Sequence, residues 1–207
     1  MIIREIRPYS PHSKKVILRL DGAEDLVLYK REFTRLGVSE GDDLPDEVYD
    51  SLISEILVPR ARRRALHLLE RGDRTEADLY RKLCDGGYPA PVARDALEYV
   101  ASYGYVDDER YASNYIRYHQ DKRSRRRLIS DLTSKGISAD IIDRAMEQEF
   151  ETSEADQIRQ LLELRRFDPQ TADQRERQKQ IRFLLGRGYS YSDIRSVMGD
   201  LDCPTFL

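Results

Sequence analysis

The feature that most constrains the fold of this chain is a weak internal repeat in its C-terminal two thirds. Three segments, residues 79–97, 128–146 and 180–198, align on a central glycine, and these glycines are about 50 residues apart. Each glycine has a leucine four positions before it and a tyrosine or isoleucine directly after it. The aligned triplets are Leu83, Gly87 and Tyr88; Leu132, Gly136 and Ile137; and Leu184, Gly188 and Tyr189.

Each aligned segment has the pattern of one helix that ends, a tight turn, and a second helix that begins. The glycine can adopt the left-handed conformation that closes a helix, and the apolar residue after it packs back over the helix end. Ser138 then suits the N-cap of the next helix, and Pro91 suits a first turn. A further helical pattern precedes each segment, at residues 60–71, 108–121 and 153–166. The sequence therefore predicts three tandem three-helix repeats.

We place the repeats at residues 60–104, 105–150 and 151–207. Three helices of about 12 residues bury little apolar area on their own, so neighbouring repeats should pack against each other as they do in solenoid proteins. The expected fold is mainly α, an elongated and curved body with a strongly charged surface.

Residues 1–44 differ from the rest because they carry a strand pattern, and they predict a small β-rich extension. Aliphatic runs at 16–20 and 26–30 flank the turn sequence DGAED, which predicts a β-hairpin. Residues 2–6 are a candidate third strand. A short helical piece, REFTRLG, follows the hairpin and is closed by Gly37.

Residues 45–59 predict a helix that connects this extension to the repeats. Pro45 suits a first-turn position, and Asp46 and Glu47 suit the positive end of the helix dipole. We expect Pro59 to kink or end this helix, because proline lacks an amide hydrogen and crowds the preceding turn.

Composition excludes several classes of protein. Charged residues make up 35% of the 207 residues, and the regular apolar spacing between them is not that of a disordered chain. No apolar run approaches the roughly 20 residues that span a bilayer, and the N-terminal sequence MIIREIRPYS lacks the apolar core of a secretion signal. Cys84 and Cys203 have neither metal-binding nor redox spacing, which predicts free thiols in a reducing cytoplasm. We expect a cytoplasmic monomer that uses no cofactor and no membrane.

The acidic residues of GYVDDERYASNYI, residues 104–116, raise the question of a metal or catalytic site. A helix that begins here would place Asp107 at the N-cap and Asp108 and Glu109 in the first turn, where negative charge is favourable. A metal or catalytic site needs further ligands, or a nucleophile with a base, and the three histidines of the chain are scattered. We interpret the segment as a helix start, and we assign no catalytic and no metal-binding residue.

The tyrosines of this region have two possible roles. Tyr111, Tyr115 and Tyr118 share one face of the predicted helix, and rings at such spacing can stack on single-stranded bases. More often they pack in a core with the hydroxyl at its rim. We interpret these three as core residues, and we assign the preceding tyrosines to packing between the first and second repeats: Tyr99, Tyr103 and Tyr105.

Basic residues occur in three short clusters near the predicted repeats. A single basic cluster is usually a solvated helix face, but three clusters in similar places indicate a continuous polar face. We take them as the candidate residues for binding a partner or DNA: Arg60, Arg62, Arg63 and Arg64; Lys122, Arg123, Arg125, Arg126 and Arg127; and Arg175, Arg177 and Lys179. Adjacent helical residues diverge by about 100°, so the consecutive arginines of the middle cluster cannot all point the same way.

These segments together resemble the RecX family, bacterial regulators of the recombinase RecA. The resemblance rests on ALHLLERGDRTEADLYRKL at 65–83, YGYVDDERYA at 103–112 and LTSKGISADIIDRA at 132–145, in this order and spacing. It implies a protein without enzymatic activity that binds the RecA–DNA filament and lowers RecA's ATPase and strand-exchange activities, and so acts in DNA repair, recombination and the SOS response. It leaves weak direct contact with DNA open.

Two other classes remain as alternatives. A helix-turn-helix transcription regulator would need a basic recognition helix, but the candidate helices 91–103 and 139–150 carry only Arg94 and Arg144 as basic residues. A nuclease or other enzyme would need the catalytic constellation that the sequence lacks.

Overall fold

The structure is a computed structural model of the 207-residue chain, and it describes residues 1–168 and 170–199. The chain divides into two compact units, Met1–Asp107 and Asp108–Leu207. Cys84 is a half-buried free thiol, whereas Cys203 lies outside the described residues. In the described parts of the chain, no helix combines the length and apolar character that crossing a membrane requires.

The first unit begins with an antiparallel three-stranded sheet, which confirms the predicted strands. The strands follow one another in space as in sequence: β1 (Ile3–Pro8), β2 (Lys15–Leu20) and β3 (Leu26–Tyr29). Alternate residues of β2 are buried, Val16, Leu18 and Leu20, because successive side chains of a strand point to opposite faces. Helix α1 (Lys30–Leu36) follows β3 and ends at Gly37, whose φ of 64° is left-handed, as predicted.

The helix that begins after Pro45 does not end at Pro59, so of the two predicted outcomes, a kink or an end, the end is wrong. Helix α2 (Asp46–Ser51) continues through a π-helical segment (Leu52–Leu57) into α3 (Val58–Leu69). The amide of Val58 donates to the carbonyl of Ile53, five residues back. A π turn is wider than an α turn, so this segment relieves the crowding that the Pro59 ring imposes on the turn before it. The predicted boundary at residues 59 and 60 therefore lies inside continuous helix.

Three groups of three helices follow in the described part of the chain, as the repeat predicted. In the first unit these are α3, α4 (Glu76–Asp85) and α5 (Ala90–Ser102). The second unit contains α6 (Asp108–His119), α7 (Arg125–Ser134) and α8 (Ala139–Glu149), followed by α9 (Glu154–Leu164), α10 (Gln174–Gly186) and α11 (Tyr191–Met198). In each group the first helix packs mainly against the third.

Each group has its own apolar core. In the first group the core is continuous with the buried face of the sheet, and it includes Leu57, Leu79, Leu83 and Val100. Ile116, Leu128, Leu132 and Met146 lie in the second core, and Ile158, Leu184, Tyr189 and Ile194 in the third. The predicted residues before and after each repeat glycine are therefore core residues.

The second helix of every group ends in the same backbone motif. Gly87, Gly136 and Gly188 have φ values of 86°, 85° and 92°. The amide after each glycine donates to the carbonyl of the repeat leucine five residues earlier, at 3.2, 3.3 and 3.2 Å: Tyr88 to Leu83, Ile137 to Leu132 and Tyr189 to Leu184. This is the helix end that the sequence predicted, and it directs the chain into the third helix.

Polar contacts join the second and third groups within the second unit. The hydroxyl of Ser124 accepts from the amide of Arg127 at 3.2 Å and donates to the carbonyl of Arg187 at 2.9 Å. The side-chain amide of Gln157 on α9 donates to the carbonyl of Gln120, which follows α6. The buried serine therefore caps α7 and at the same time contacts the end of α10.

We predict that Gly87→Ala destabilises the first unit more than Gly22→Ala does. Both glycines have left-handed φ, 86° and 82°, which costs an alanine about 1–2 kcal/mol. A Cβ at Gly87 would also lie 2.6 Å from Cγ2 of Val27, whereas a Cβ at Gly22 meets nothing within 4 Å. This crowding adds about 1–3 kcal/mol at position 87. Urea unfolding of both variants measures the difference, and equal losses would show that the Val27 contact is unimportant.

Candidate interface residues

The first basic cluster lies on α3 and divides into two structural and two exposed side chains. Arg60 is ion-paired with Glu32, and its guanidinium lies 4.7 Å from the centre of the Tyr29 ring. Arg62 donates twice to the carboxylate of Asp95, at 2.7 and 2.9 Å. Arg60 and Arg62 therefore tie α3 to α1 and α5.

Arg62 also stacks on an aromatic ring, since its guanidinium lies 4.7 Å from the centre of the Tyr99 ring. The hydrogen bonds to Asp95 raise the pKa of Arg62 above its usual range, against a smaller opposing effect of burial. Arg63 and Arg64, by contrast, are exposed.

The middle cluster surrounds one carboxylate. Asp131 on α7 is ion-paired with Arg123, and it also accepts from Arg127, whose Nε lies 3.0 Å from it. Two of the five cations in this cluster are therefore neutralised by a single acidic residue.

Arg125 makes contacts with both its backbone amide and its side chain. Its amide donates to the carboxylate of Glu154 at 2.9 Å, and its guanidinium lies 5.9 Å from the centre of the Phe150 ring. Burial raises the pKa of Glu154, although the hydrogen bond from Arg125 opposes this shift. Lys122 and Arg126 are exposed and make no ion pair within residues 1–168 and 170–199.

The third cluster lies on α10. Arg177 is half-buried and donates from Nε to the carbonyl of Ala172 at 3.1 Å, just before the helix begins. Arg175 and Lys179 are exposed. Each of the three clusters thus presents at least two exposed cations that make no ion pair with a described carboxylate: Arg63 and Arg64; Lys122, Arg125 and Arg126; and Arg175 and Lys179.

The acidic segment begins a helix, as predicted. Helix α6 starts at Asp108 and has Asp108 and Glu109 in its first turn. Glu109 is ion-paired with Arg144, so this carboxylate has a structural partner. Across the described residues, no group of three His, Cys, Asp or Glu side chains is placed to hold a metal ion.

The tyrosine predictions are only partly confirmed. Tyr111 and Tyr115 are half-buried and pack against the second core, whereas 75% of Tyr118 is exposed, so its assignment to the core is wrong. Helical spacing shows that the three rings share a face, but not how far the neighbouring helices extend along it. Tyr118 belongs to the last turn of α6, and its ring contacts that of His119 at 4.8 Å.

Tyr103 and Tyr105 are not buried packing residues, because their relative exposures are 61% and 53%. Their rings stack on each other at 5.9 Å, and Tyr103 meets the edge of Tyr99 at 5.1 Å. Tyr99 itself is half-buried and packs against the first core.

The structure also places Lys15, a cation outside the three basic clusters, beside two aromatic rings. Lys15 at the start of β2 lies beside Tyr9 and Tyr29, and its ammonium is 5.5 and 5.6 Å from the two ring centres. Arg60 of α3 contacts the same Tyr29 ring. These residues are far apart in sequence, so only the antiparallel pairing of the strands could have indicated their proximity.

Family models match the chain in three consecutive parts: the first three-helix domain of RecX matches residues 61–99, the second 107–146 and the third 152–198. A regulatory protein RecX of Caldanaerobacter subterraneus subsp. tengcongensis is 28% identical over 90% of this chain and 93% of its own. Another, from Vibrio vulnificus, is 32% identical over 66% of this chain and 89% of its own.

Solved structures agree with these matches at the level of the fold. A crystal structure of a regulatory protein RecX has a TM-score of 0.63 and 23% identity, and the match covers 95% of this chain and 98% of that one. RecX from Lactobacillus salivarius has a TM-score of 0.58 and 18% identity, with 69% and 94% of the two chains covered.

We predict that the two types of arginine differ in their effect on stability. Arg62→Ala should lower the free energy of unfolding by about 1 kcal/mol, because it removes the ion pair with Asp95 and the contact with Tyr99. Arg126→Ala should change it by less than about 0.5 kcal/mol, because the side chain is exposed. Chemical denaturation of both variants tests this, and equal effects would contradict the division into structural and exposed cations.

A second prediction concerns the pH dependence of the second unit. Burial, followed by the charge of Arg123, lowers the pKa of His119 below its ordinary value of 6.5. The unfolded chain therefore binds this proton more readily than the folded chain, so stability should fall as the pH is lowered through 6.5. His119→Asn should flatten this dependence, and the same change at the exposed His12 serves as the matched control. Thermal unfolding between about pH 7 and pH 5 measures it, and parallel curves for all three proteins would contradict it.

Proposed function

Because this chain belongs to the RecX family, with all three of the family's three-helix domains present, we propose that it binds the filament that RecA forms on DNA and inhibits it. The proposal extends to RecA's ATPase and strand-exchange activities, and so to DNA repair, recombination and the SOS response. The single observation that carries it is the match of three consecutive domains, in family order, over most of the chain.

The charge distribution supports binding to such a partner. A filament of protein on DNA offers both acidic side chains and phosphates, and both attract exposed cations. Each basic cluster keeps at least two such cations free of ion pairs with described carboxylates, whereas Arg60 pairs α3 with α1 and Arg123 pairs with Asp131. We propose Arg63, Arg64, Lys122, Arg126, Arg175 and Lys179 as the contact residues within the twelve candidates.

We propose that the protein acts by occupancy rather than by catalysis. The acidic residues that raised the question of an active site lie at a helix start, and Glu109 is paired with Arg144. The proposal places the protein in the cytoplasm as a monomer without a cofactor. The helix-turn-helix alternative loses support, because Arg144, one of the two basic residues of its candidate recognition helices, is held by the same ion pair.

The direct test is a titration of the protein into RecA on single-stranded DNA, with ATP hydrolysis as the readout. We expect hydrolysis to slow as the protein is added, and we expect the protein to bind RecA in the presence of DNA. If the protein binds RecA neither with nor without DNA, the proposal is wrong.

The contact residues are tested by reversing charges that have no structural role. Lys122→Glu with Arg126→Glu should raise the concentration for half-inhibition roughly tenfold or more, because attraction becomes repulsion. These two are chosen because Arg127 is paired with Asp131 and reversing it would also disturb α7. The matched control reverses Arg71 and Arg94, which are exposed and outside the clusters. Equal loss in both double variants would show an effect of net charge alone.

A further inference from the structure

The start of β2, the end of β3 and helix α3 together form a further cationic surface, which shares Arg64 with the first basic cluster and which we call the N-terminal basic surface. It consists of the cations Lys14, Lys15, Lys30 and Arg64 and the tyrosines Tyr9 and Tyr29. Lys15 pairs with Tyr29 across β2 and β3, and the amide of Lys30 donates to the carbonyl of Lys14 at 2.8 Å. The amide of Tyr9 donates to the carbonyl of Lys15 at 3.1 Å. The backbone of the sheet therefore fixes five of these six residues at one end of its strands.

The cations of this surface have no acidic partner. Within the described parts of the chain, Lys14, Lys15, Lys30 and Arg64 make no ion pair. Glu32 is the nearby carboxylate, and both of its oxygens are engaged. One is paired with Arg60, and the other accepts from the amide of Tyr29 at 2.8 Å.

The positive charges are also held close together. The Lys15 ammonium and the Arg60 guanidinium lie 5.6 and 4.7 Å from the centre of the same ring, that of Tyr29. The pKa of Lys15 is lowered, first by burial and then by the positive charges of Arg60 and Arg64. The fold thus tolerates repulsion here, and a bound anion would relieve it.

Exposed aromatic rings lie among these charges. Tyr9 is 37% exposed and Tyr29 is 43% exposed. Tyr9 is held in place because its hydroxyl donates to the carbonyl of Asp85 at 2.9 Å and its ring packs beside Gly87. A rigid ring beside lysines is the arrangement with which proteins hold single strands, because lysine attracts the phosphate and the ring packs against a base.

We propose that the N-terminal basic surface binds single-stranded nucleic acid directly, with phosphates on its lysines and a base against Tyr9. A single strand fits better than a duplex, whose bases are stacked inside and cannot reach the ring. A single strand also fits better than an acidic polypeptide, which would bind the cations but make no use of the tyrosine. The proposal requires no RecA, so it stands or falls independently of the proposed function.

The charge component is tested with two triple variants that change net charge equally. Lys14→Gln, Lys15→Gln and Lys30→Gln alter the surface, whereas Arg71→Gln, Arg94→Gln and Arg182→Gln change exposed cations outside it. The measurement is fluorescence anisotropy of a labelled oligothymidylate of about 30 nucleotides, longer than one binding site. We expect the surface variant to lose about tenfold or more in affinity at low salt. A plot of the logarithm of its binding constant against the logarithm of salt concentration should become less steep by about 2. We expect the control triple to bind almost as the unaltered chain does.

The aromatic component is tested with a matched pair at one position. Tyr9→Leu should weaken binding of the oligothymidylate by about fivefold or more, whereas Tyr9→Phe, which loses the hydrogen bond to Asp85 but keeps the ring, should not. Circular dichroism of each variant checks that the fold is intact.

Several results would overturn the proposal. These are no binding of the oligothymidylate by the unaltered chain, equal losses in the two triple variants, and tighter binding to a duplex of the same length. Displacement of the oligothymidylate by polyglutamate at the same charge concentration would assign the surface to an acidic protein partner instead.

Discussion

The three-helix groups depend on one backbone hydrogen bond, from the amide after the repeat glycine to the carbonyl of the repeat leucine. Only a left-handed residue lets the chain reverse tightly enough for this bond to form, which is why glycine stands at all three positions. The reversal turns the apolar residue after the glycine back into the core and sets the direction of the third helix. The first helix then packs mainly against that third helix, so its position follows from the same turn.

Features determined by neighbouring residues could be predicted from the sequence. The repeat glycines, the strands and the start of α6 at Asp108 all follow from patterns within a few residues, and all are confirmed. Features that depend on distant partners could not be predicted. The continuation of the helix through Pro59 depends on a π-helical segment, and the exposure of Tyr118 depends on how far other helices extend.

The basic residues show this limit most clearly. Sequence reasoning found the clusters but not which of their cations are ion-paired, because the carboxylate partners of the first cluster lie far away in the sequence. Arg60 pairs with Glu32 and Arg62 with Asp95, each about 30 residues distant in sequence. In the first cluster, two of the four arginines are thus paired with carboxylates of other helices. The N-terminal basic surface was not predicted for the same reason, since strand pairing assembles it from separate parts of the chain.

The π-helical segment before Pro59 has a consequence for how this surface can change in evolution. A turn closed five residues back contains one residue more than an α turn. Deleting a single residue there would restore an ordinary α turn and rotate α3 by about 100° relative to the sheet. Arg60 would leave Glu32 and Tyr29, and a different set of arginines would face the strands. The length of this segment, and not only the identity of the residues on α3, therefore determines which charges the helix presents to the sheet.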